Sequence, residues 1–425
     1  MTNRISLLPI LSINFVGTLG FSIVLPFLVF LVTKWGGNAV IYGLMGATYS
    51  AFQLIGAPIL GRWSDRYGRR KILLVSQLGT LISWAIFLTA FFLPVSTISD
   101  VDSKLLGQFT LTIPLIVLFI ARAADGITGG NVSVANAYLA DITDEAHRSK
   151  NFGRMAISGN LGFMLGPALA GLLGATIYGE ILPVFAALLI ALIATFIIGF
   201  GLKESSPCTL ERDPEGGSVR KVFGQEHKEC YRIKGSDQTP VRDILKLHHV
   251  PALLSVYFLV MLGFSFFYIA FPIHAVRGLQ WSVTGTGTFF AVLSLLMVVV
   301  QGPVLAQASK KLSDPMLVIG GSLILSIGFA ILVGNTVTLI YAGAALIALG
   351  NGLMWPSVMA VLSRFAGERF QGAVQGFASS VGAVASIIGL ILGGLLYNWI
   401  GARVFVISAV TVFAVAVITL VIRDR

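Results

Sequence analysis

The stretch Gly61-Arg62-Trp63-Ser64-Asp65-Arg66-Tyr67-Gly68-Arg69-Arg70-Lys71 places six charges between two long apolar runs. The flanking runs extend roughly from Val40 to Leu60 and from Ile72 to Pro94. Each has about the 20 residues that a helix needs to cross the hydrocarbon of a bilayer. A soluble core does not explain a charged turn between two such runs. We therefore predict a short loop that lies at one face of a membrane.

The composition places the whole chain in a membrane. Hydrophobic residues make up 56% of the 425 positions and charged residues only 11%, which is too apolar for an ordinary globular protein. Twelve apolar runs, numbered 1 to 12 in chain order, begin near Leu7, Val40, Ile72, Leu111, Phe152, Ile181, Ala252, Val283, Met316, Leu339, Gly372 and Val404. We predict an all-α integral membrane protein whose twelve transmembrane helices form two pseudo-symmetric six-helix bundles.

The distribution of basic residues predicts the orientation. The net charge is +10, but the basic residues fall in loops and not on one face, so no nucleic-acid partner is expected. With both termini in the cytoplasm, 24 of the 29 Lys and Arg lie on the cytoplasmic side. The others are Lys34, Lys104, Arg277 and Arg403 on the outer side and Arg122 within a run. This bias predicts a multi-pass protein of a bacterial inner membrane or an equivalent membrane, with both termini cytoplasmic.

Residues 203–249 form the longest polar stretch, and its prolines and glycines break any helix. We interpret residues 203–250 as a cytoplasmic linker loop. It separates an N-terminal six-helix bundle, residues 1–202, from a C-terminal six-helix bundle, residues 251–425. An equal number of runs on either side gives both bundles the same orientation, which indicates a duplication with parallel halves.

The two bundles share weak internal similarity. Residues 58–60, Pro-Ile-Leu, match residues 303–305, Pro-Val-Leu, at an offset of 245. At an offset of 223, Gly153, Gly166 and Gly171 fall on Gly376, Gly389 and Gly394. The offsets differ because the outer loop after run 3 is longer than its counterpart. The charged stretch has decayed to Gln-Ala-Ser-Lys-Lys at 307–311, so we expect the halves to differ in function.

Several classes of function lack their sequence signals. The chain has no G-x-x-x-x-G-K-[ST] loop for ATP, no nucleophile elbow, no H-E-x-x-H and no paired carboxylates in a predicted cleft, so we do not expect an enzyme. Cys208 and Cys230 fall in the linker loop, where thiols stay reduced, so no disulfide is expected. Their spacing with His227 fits no zinc pattern. We expect no metal and no cofactor.

The spacing G-x-x-S-D-R-x-G-R-R at residues 61–70 resembles the loop between helices 2 and 3 of the major facilitator superfamily of secondary transporters. The resemblance implies a conformational latch in which Asp65 meets the start of run 11, near Phe370 and Gln371, and stabilises the outward-open state. The other latch residues it implies are Gly61 and Gly68, which permit a tight backbone, and Arg66, Arg69 and Arg70, which reach partners such as Asp141. Topology alone also places basic residues here, but it does not account for Asp65 or the glycines.

Run 4 carries two opposite charges in mid-span, in the sequence Arg122-Ala-Ala-Asp125-Gly-Ile-Thr-Gly-Gly-Asn131. Together with Ala-Tyr-Leu-Ala-Asp-Ile-Thr at 137–143, it closely resembles the tetracycline-resistance-like branch of the drug:proton antiporters. A charge in mid-span costs about 2.5–3.5 kcal/mol on insertion scales, so both side chains should face the interior or a wet cavity. Because they are three residues apart, they lie on one face of the helix.

The charged pair of run 4 has two interpretations. In the structural one, Arg122 and Asp125 neutralise each other permanently and hold run 4 to its neighbours. In the functional one, the proton affinity of Asp125 changes as the cavity opens to either side of the membrane, which a proton carrier requires. We favour a coupling role and assign Arg122, Asp125 and Asn131 to a coupling and substrate cavity.

Run 1 carries Asn14 at a position where many relatives of this branch carry an acid. Asn cannot exchange a proton, so this departure favours facilitated or differently coupled transport as an alternative. An interhelical hydrogen bond worth about 1 kcal/mol explains Asn14 equally well. We include Asn14 among the cavity residues.

Run 5 resembles the G-x-x-x-G-P-x-x-G-G element of antiporters in this superfamily, with Ala170 in place of one glycine. Small residues on one face allow close helix approach, and a proline in register loosens the backbone just beyond them. The helix-packing residues that we assign here are Gly162, Gly166, Pro167 and Gly171. The element favours a protein that behaves as an exporter.

The second half offers aromatic and amide side chains but few charges. We assign Tyr257 of run 7, Gln301 of run 8, and Asn351 and Trp355 of run 10 to the cavity. Such a lining suits an amphipathic or lipophilic substrate. His274, near the outer end of run 7, is expected to be interfacial and not a proton relay.

We therefore predict a secondary transporter that exports a small, amphipathic or lipophilic compound by alternating access, in exchange for protons. The resemblance implies that runs 1, 4, 7 and 10 line a midplane site between two rocking bundles. One alternative is a facilitative carrier or symporter of a metabolite. Another is a non-transporting membrane receptor or scaffold. The expected partners are a small-molecule substrate, protons and the lipid bilayer, and we expect a monomer.

Overall fold

The computed structural model describes residues 6–24, 27–129, 131–143, 148–205, 245 and 249–423. Within these ranges, nine helices are long and apolar enough to cross a membrane. The prediction of an all-α membrane protein is confirmed, whereas the count of twelve spans stays a prediction. The division into bundles 1–202 and 251–425 also stays a prediction, and most of the linker between them lies outside the described residues.

The described helices begin close to the predicted runs. The elements of the first half are α1 (Leu8–Ser22), α2 (Leu28–Lys34), α3 (Ala39–Tyr67), α4 (Arg69–Thr89), β1 (Thr97–Ser103), β2 (Gly107–Thr112), α5 (Ile113–Thr128), α6 (Asn131–Asp141), α7 (Arg148–Gly174) and α8 (Ile181–Phe196). Those of the second half are α9 (Val250–Arg277), α10 (Val283–Val299), α11 (Asp314–Ile331), α12 (Val337–Ile400) and α13 (Val404–Arg423). Runs 1 and 4 are each divided between two helices. The α8 and α10 helices each continue into a π-helical turn.

Local sequence sets where several helices begin and end. The side chains of Asn38, Ser282 and Thr336 accept hydrogen bonds from backbone N–H groups three residues further on, which caps α3, α10 and α12. Proline occupies the first turn of α1, α5, α9 and α11, where its missing N–H costs no hydrogen bond. Gly401, with φ of 58°, ends α12 in a conformation that favours glycine.

The charged stretch that predicts a loop is almost entirely helical. The α3 helix extends to Tyr67 and α4 begins at Arg69, so only Gly68 separates them. Its φ of 105° allows the chain to change direction in a single residue, which a side chain would strain. The prediction of a loop was therefore wrong in length, and all six charges lie on helix ends.

Helical backbone continues from Val337 to Ile400, 64 residues, although the sequence predicts two runs there. The ring of Trp355 lies 5.2 Å from the ring of Tyr257, and a Cβ on Gly382 would lie 2.6 Å from that same tyrosine. In a straight helix, residues 355 and 382 would be about 40 Å apart. The α12 helix must therefore double back between them, and its two arms correspond to runs 10 and 11.

A β-hairpin that the sequence analysis did not predict follows run 3. Strands β1 and β2 pair antiparallel, with Asp100 opposite Thr110. The backbone N–H of Thr110 donates to Gly36 O at 2.9 Å, and the side chain of Asn38 donates to Leu106 O at 2.7 Å and to Gln108 O at 3.1 Å. The hairpin is thus fixed to the turn before α3. We call this end of the molecule the hairpin end and the opposite end, where Gly68 lies, the basic end.

The two halves of the chain meet through glycines at the hairpin end. Gly171 of α7 lies so close to Gly287 of α10 that a Cβ on either would overlap the backbone of the other. Gly43 of α3 packs in the same way on α12, where a Cβ would lie 2.5 Å from Leu390 O and 3.4 Å from Gly394 Cα. Backbone-to-backbone approach of this kind is possible only where both helices carry small residues.

The close contacts of α3 with the second half lie towards the hairpin end. Gly43, Leu54 and Gly61 share one face of this helix, because 11 and 18 residues are close to three and five whole turns. Gly43 is in tight contact with α12, but Leu54 is 40% exposed, and among the described residues nothing would lie within 4 Å of a Cβ on Gly61. In the part of this helix pair that the structure describes, the halves are in tight contact at the hairpin end.

Replacing Gly171 should weaken the closure at the hairpin end. We expect Gly171→Leu to lower the free energy of unfolding by about 1–3 kcal/mol, because the added side chain overlaps Gly287. Thermal unfolding of the purified variant in detergent measures the effect. The matched control is Gly320→Leu, where a Cβ would meet nothing within 4 Å. Equal unfolding temperatures for the two variants would contradict the tight contact.

Candidate functional site

Arg122 and Asp125 lie buried in α5, on one face of the helix. Arg122 is 2% exposed and Asp125 is 6% exposed. Arg122 Nη1 lies 3.7 Å from Asp125 Oδ2. Neither side chain reaches the surface of the bundle, where lipid would surround it. The pair is therefore sheltered inside the protein, at the place where the sequence shows a charge in mid-span.

Aromatic rings hold the positive charge of Arg122. Its guanidinium carbon lies 4.6 Å from the ring centre of Tyr49 and 5.6 Å from that of Phe21, and these two rings are 4.7 Å apart. Contacts of this kind stabilise a desolvated cation by about 2 kcal/mol. Within the described residues, Arg122 Nε has no hydrogen-bond partner. The guanidinium is thus held mainly by π faces and one carboxylate, without a full set of hydrogen bonds.

A cavity of about 290 Å³ lies beside this pair, inside the first half of the chain. Asp125 lines it, whereas Arg122 does not. The other lining residues are Ile13, Asn14, Val16, Gly17, Thr18, Gly20, Phe21, Tyr49, Ser50, Gln53, Gln77, Thr80, Trp84, Gly129, Ala135, Phe163, Ala187, Ile190 and Ala191. Residues of runs 1 to 6 therefore contribute to its wall.

Asp125 connects the buried cation to the cavity. Arg122 lies on one side of it, and Thr80 of α4 donates a hydrogen bond to its carboxylate. A carboxylate in this position is able to bind a proton or a cationic group from the cavity, because Asp125 lines that space and has acceptor capacity beyond these two contacts. Asp125 is thus placed to exchange one charged partner, Arg122, for another in the cavity.

Asn14 both lines the cavity and links two helices. Its Nδ2 donates to Met155 O in α7 at 2.8 Å, and the hydroxyl of Thr18 donates to Asn14 O at 2.7 Å. The structure thus contains the interhelical hydrogen bond that was one of two interpretations of Asn14. Asn14 therefore lines the cavity and links the two helices at the same time.

No described residue of runs 7 or 10 lines this cavity, so the expectation that runs 1, 4, 7 and 10 line one midplane site stays a prediction. Aromatic rings of the second half fill that side, and the ring of Tyr268 lies 5.9 Å from that of Phe163 in the cavity wall. The four predicted residues of the second half form their own group. In this group Trp355 packs on Tyr257, Asn351 Nδ2 lies 3.9 Å from Met297 Sδ, and Gln301 lies in the π-helical turn of α10.

Two further expectations have different outcomes. His274 was expected to be interfacial, but it is 3% exposed and its Nδ1 lies 3.2 Å from the hydroxyl of Tyr397. The reason is that the second arm of α12 and Phe405 of α13 cover it. The side chain of Asn131 lies outside the described residues, so its cavity role stays a prediction.

The glycines of α7 face two different partners. A Cβ on Gly162 or Gly166 would overlap α1 at Phe15 or Ser22, whereas Gly171 faces α10. Pro167 lies inside the helix between them. The predicted small-residue face therefore serves two contacts, one within the first half and one between the halves.

Arg69 is the centre of the charged cluster at the basic end. It is 4% exposed, and its guanidinium reaches Asp65 at 2.5 Å, Ser64 at 2.7 Å and Asp141 at 2.9 Å. The hydroxyl of Ser205 donates to Asp141 at 2.9 Å. The cluster thus joins the ends of α3, α4 and α6 to the residues that follow α8.

Glu204 caps the start of α4. Its carboxylate accepts a hydrogen bond from the backbone N–H of Arg70 at 3.3 Å, at the helix end that favours negative charge. The same carboxylate fills the space beside Gly68, where a Cβ would lie 2.6 Å from it. The guanidinium of Arg70 donates to the backbone carbonyls of Ile198 and Gly199.

The remaining latch residues differ from expectation. Gly61 was expected to permit a tight backbone, but it lies inside α3, and among the described residues nothing would lie within 4 Å of a Cβ there, so that explanation holds for Gly68 alone. Arg66 was expected to reach an acid, but its guanidinium lies 5.7 Å from the ring centre of the adjacent Tyr67. The side chains of Phe370 and Gln371, the implied partners of Asp65, lie outside the described residues. In this structure Asp65 pairs with Arg69.

Comparison with protein-family models identifies the family. The model of the Major Facilitator Superfamily matches residues 10–312 and 253–425, which together cover nearly the whole chain. The chain belongs to the major facilitator superfamily. It is therefore a transporter, not an enzyme, and a multi-pass membrane protein that carries small molecules, as predicted.

Relatives of this superfamily member include named resistance proteins. The class C tetracycline resistance protein of Escherichia coli is 28% identical over 84% of this chain and 80% of its own length. Multidrug resistance protein 2 of Bacillus subtilis (strain 168) is 26% identical over 92% of this chain and 88% of its own length.

Solved structures with the same fold transport other compounds. The human organic anion transporter MFSD10 (TETRAN) superposes with a TM-score of 0.65 and 21% identity, covering 99% of this chain and all of its own. A D-xylose-proton symporter superposes with a TM-score of 0.70 and 14% identity, covering 98% of this chain and 97% of its own. These likenesses support the superfamily fold alone.

The repeat of this superfamily member carries the basic-end ion pair twice, with the charges exchanged. At the offset of 245, Arg69 falls on Asp314, and at the offset of 223, Asp141 falls on Arg364. Arg364 Nη2 lies 2.6 Å from Asp314 Oδ2, so the equivalent positions are also in contact. Two ion pairs at equivalent sites, connecting equivalent helix ends, support the duplication with parallel halves.

Sequence reasoning missed several site residues. Tyr49, Gln53, Gln77 and Thr80 are polar residues within apolar runs, and this was a signal that was available but not used. Glu204 and Ser205 follow run 6 directly, and no sequence pattern indicates that they return to the start of α4.

The two repeat-equivalent arginines should differ in stabilising effect. We expect Arg69→Met to lower the free energy of unfolding by about 1–3 kcal/mol, because a buried donor to three partners is lost. Arg364→Met should cost at most about 1 kcal/mol, because its side chain is 71% exposed. Thermal unfolding of both variants tests this order. Equal losses of unfolding free energy in the two variants would show that burial of the arginine does not determine how strongly its ion pair stabilises the protein.

Proposed function

We propose that this protein exports a small, amphipathic or lipophilic compound by alternating access, in exchange for protons. The observation that carries the proposal is a buried acid, Asp125, between a buried cation and a cavity. A permanently neutral packing pair would gain nothing from contact with a cavity. A proton-exchanging acid requires that contact, because its proton must enter and leave.

The asymmetry of the repeat supports the proposal. At the offset of 223, Arg122 falls on Ala345 and Asp125 falls on Ala348, so the second half has no equivalent of the pair. A role in helix packing alone is served by alanine at these positions. We infer that the charges of the first half are retained for coupling, while the second half serves as the partner that moves.

The cycle that we propose uses the contacts between the halves. In the state that we propose for this structure, the hairpin end is closed and the basic end is open, so a substrate reaches the cavity from the basic end. Its binding displaces the proton of Asp125, and the halves then rock to open the hairpin end. Return of a proton to Asp125 neutralises the carboxylate and releases the substrate. We place the basic end and both termini in the cytoplasm, which makes the direction export.

The names of the relatives favour efflux. Proteins named for tetracycline or multidrug resistance match over most of this chain. The second candidate function is a facilitative carrier or symporter of a metabolite, and Asn14 favours it because an amide in the cavity wall exchanges no proton.

Asp125→Asn tests the coupling directly. The substitution keeps the size of the side chain but removes the exchangeable proton, so transport of tetracycline or ethidium driven by a pH gradient should fall at least about tenfold, the equivalent of about 1.4 kcal/mol. Flux and internal pH are measured together in proteoliposomes. The matched control is Asp100→Asn, an exposed residue of β1 bonded to Thr110, which should transport normally.

The outcome separates the two candidates. Substrate movement that leaves internal pH unchanged, together with normal transport by Asp125→Asn, would contradict proton exchange and favour the facilitative carrier. Loss of flux in the Asp100→Asn control as well would mean that charge in general, and not Asp125, determines transport.

A further inference from the structure

The hydroxyl of Thr286, in the first turn of α10, is buried without a hydrogen bond. The side chain is 0% exposed, and within the described residues its Oγ1 has no partner. The packing leaves no space beside this oxygen for a water molecule. A buried polar group without a partner costs free energy, and natural structures rarely retain one without a reason.

Other buried hydroxyls of the second half avoid this cost. Those of Ser322 and Thr419 each donate to the backbone carbonyl four residues earlier, at 2.7 and 2.8 Å, which is a common arrangement inside helices. The equivalent carbonyl for Thr286 is Ser282 O, and it accepts the backbone N–H of Thr286 at 3.0 Å but not its hydroxyl. The packing around Thr286 therefore holds its hydroxyl away from the partner that its own helix offers.

The turn of α10 that carries Thr286 is part of the contact between the halves. Gly287 meets the backbone of Gly171 in α7, and a Cβ on Gly174 would lie 2.7 Å from Val283 Cγ1. Thr286 lies between Val283 and Gly287 in the chain and about 60° from Val283 around the helix axis. Its unsatisfied hydroxyl thus adjoins the surface along which the halves part.

A second unsatisfied atom of the second half lies towards the same end of the molecule. His274 Nε2, in the last turn of α9, has no partner within the described residues, although Nδ1 of the same ring lies 3.2 Å from the hydroxyl of Tyr397. The other two such atoms in the described part of the chain belong to Gln77 and Arg122 at the candidate site. Unsatisfied groups are therefore found at the site and near the closure, the two regions that must change during transport.

Parting of the halves changes the surroundings of Thr286. When α7 moves away from α10, the hydroxyl meets water and regains hydrogen bonds, so its cost applies to the closed hairpin end alone. A cost that applies to one of two states shifts the equilibrium towards the other. The tight glycine contacts favour closure, and the buried hydroxyl opposes it.

We propose that Thr286 is a conformational device of the closure: its unsatisfied hydroxyl raises the free energy of the closed hairpin end and so makes that end easier to open. The inference rests on the proposed function only in taking the hairpin end to open during transport. It requires no particular substrate and no coupling to protons.

Thr286→Val tests the proposal, because valine has nearly the shape of threonine but no hydroxyl. Removing the unsatisfied group should stabilise the closed protein and raise its unfolding temperature by about 2 °C. Thermal unfolding of the purified full-length protein measures this. The matched control is Thr288→Val, two residues further along α10, where the exposed hydroxyl donates to Thr284 O at 2.8 Å. The control should not raise the unfolding temperature.

A cysteine reporter in the other contact between the halves measures opening itself. Ala39 of α3 is 2% exposed, and a Cβ on Gly394 of α12 would lie 2.7 Å from Ala39 O. Ala39→Cys is introduced into protein that carries serine at positions 208 and 230, its two natural cysteines. In lipid nanodiscs, Thr286→Val should slow labelling of this reporter by a maleimide at least about fivefold, whereas Thr288→Val should leave the rate unchanged.

Several results would overturn the proposal. An unchanged or faster labelling rate in Thr286→Val would show that the hydroxyl does not oppose closure. A lower unfolding temperature, or a variant that does not fold, would show that the hydroxyl has a stabilising partner. A higher unfolding temperature with unchanged labelling would also overturn it, because the hydroxyl would then cost the same in both states.

Labelling and proton flux separate this proposal from the proposed function. If Thr286→Val slows labelling but transport leaves internal pH unchanged, proton exchange fails and the role of Thr286 holds. If transport is coupled to protons but Thr286→Val does not alter labelling, the role of Thr286 fails and proton exchange holds.

Discussion

The burial of Arg122 and Asp125 together is the constraint on which the rest of the first half depends. Taking a guanidinium out of water costs several kcal/mol, and one carboxylate at 3.7 Å repays only part of this. The rings of Tyr49 and Phe21 cover the cation, and Thr80 holds the acid from α4. These requirements explain why polar and aromatic residues of several helices converge at one point, and why a cavity remains beside them.

The second half lacks the pair, and its packing differs accordingly. Where the first half encloses amides and a carboxylate, the second half stacks aromatic rings, with Phe271 and Phe289 only 3.8 Å apart. The basic-end ion pair is kept in both halves but with its charges exchanged, Arg69 with Asp141 and Asp314 with Arg364. Duplication therefore preserved the contacts that join helix ends, whereas the residues in mid-span diverged.

The sequence predicted the spans well because apolar length is a local property. The observed starts of α5, α9 and α11 lie within about two residues of the predicted ones. The hairpin was missed because its strands are short and polar, and its pairing depends on the turn at Gly36. The wall of the cavity was predicted only in part. Gln77 and Thr80 line it from a different helix than Asp125, and periodicity along the chain does not encode which helices meet.

The contacts at the hairpin end explain how the two halves of the chain can separate there. Gly171 on Gly287 and Gly43 on Leu390 bring backbones together, and in the part of the chain that the structure describes no ion pair or side-chain hydrogen bond accompanies these contacts. Separating such surfaces exposes little polar surface that must find new partners, so the cost is mainly lost dispersion contact. The ion pairs at the basic end instead lie within each half, Arg69 with Asp141 and Asp314 with Arg364. Within the described residues, these ion pairs join helix ends inside each half, while small residues form the surface along which the halves part.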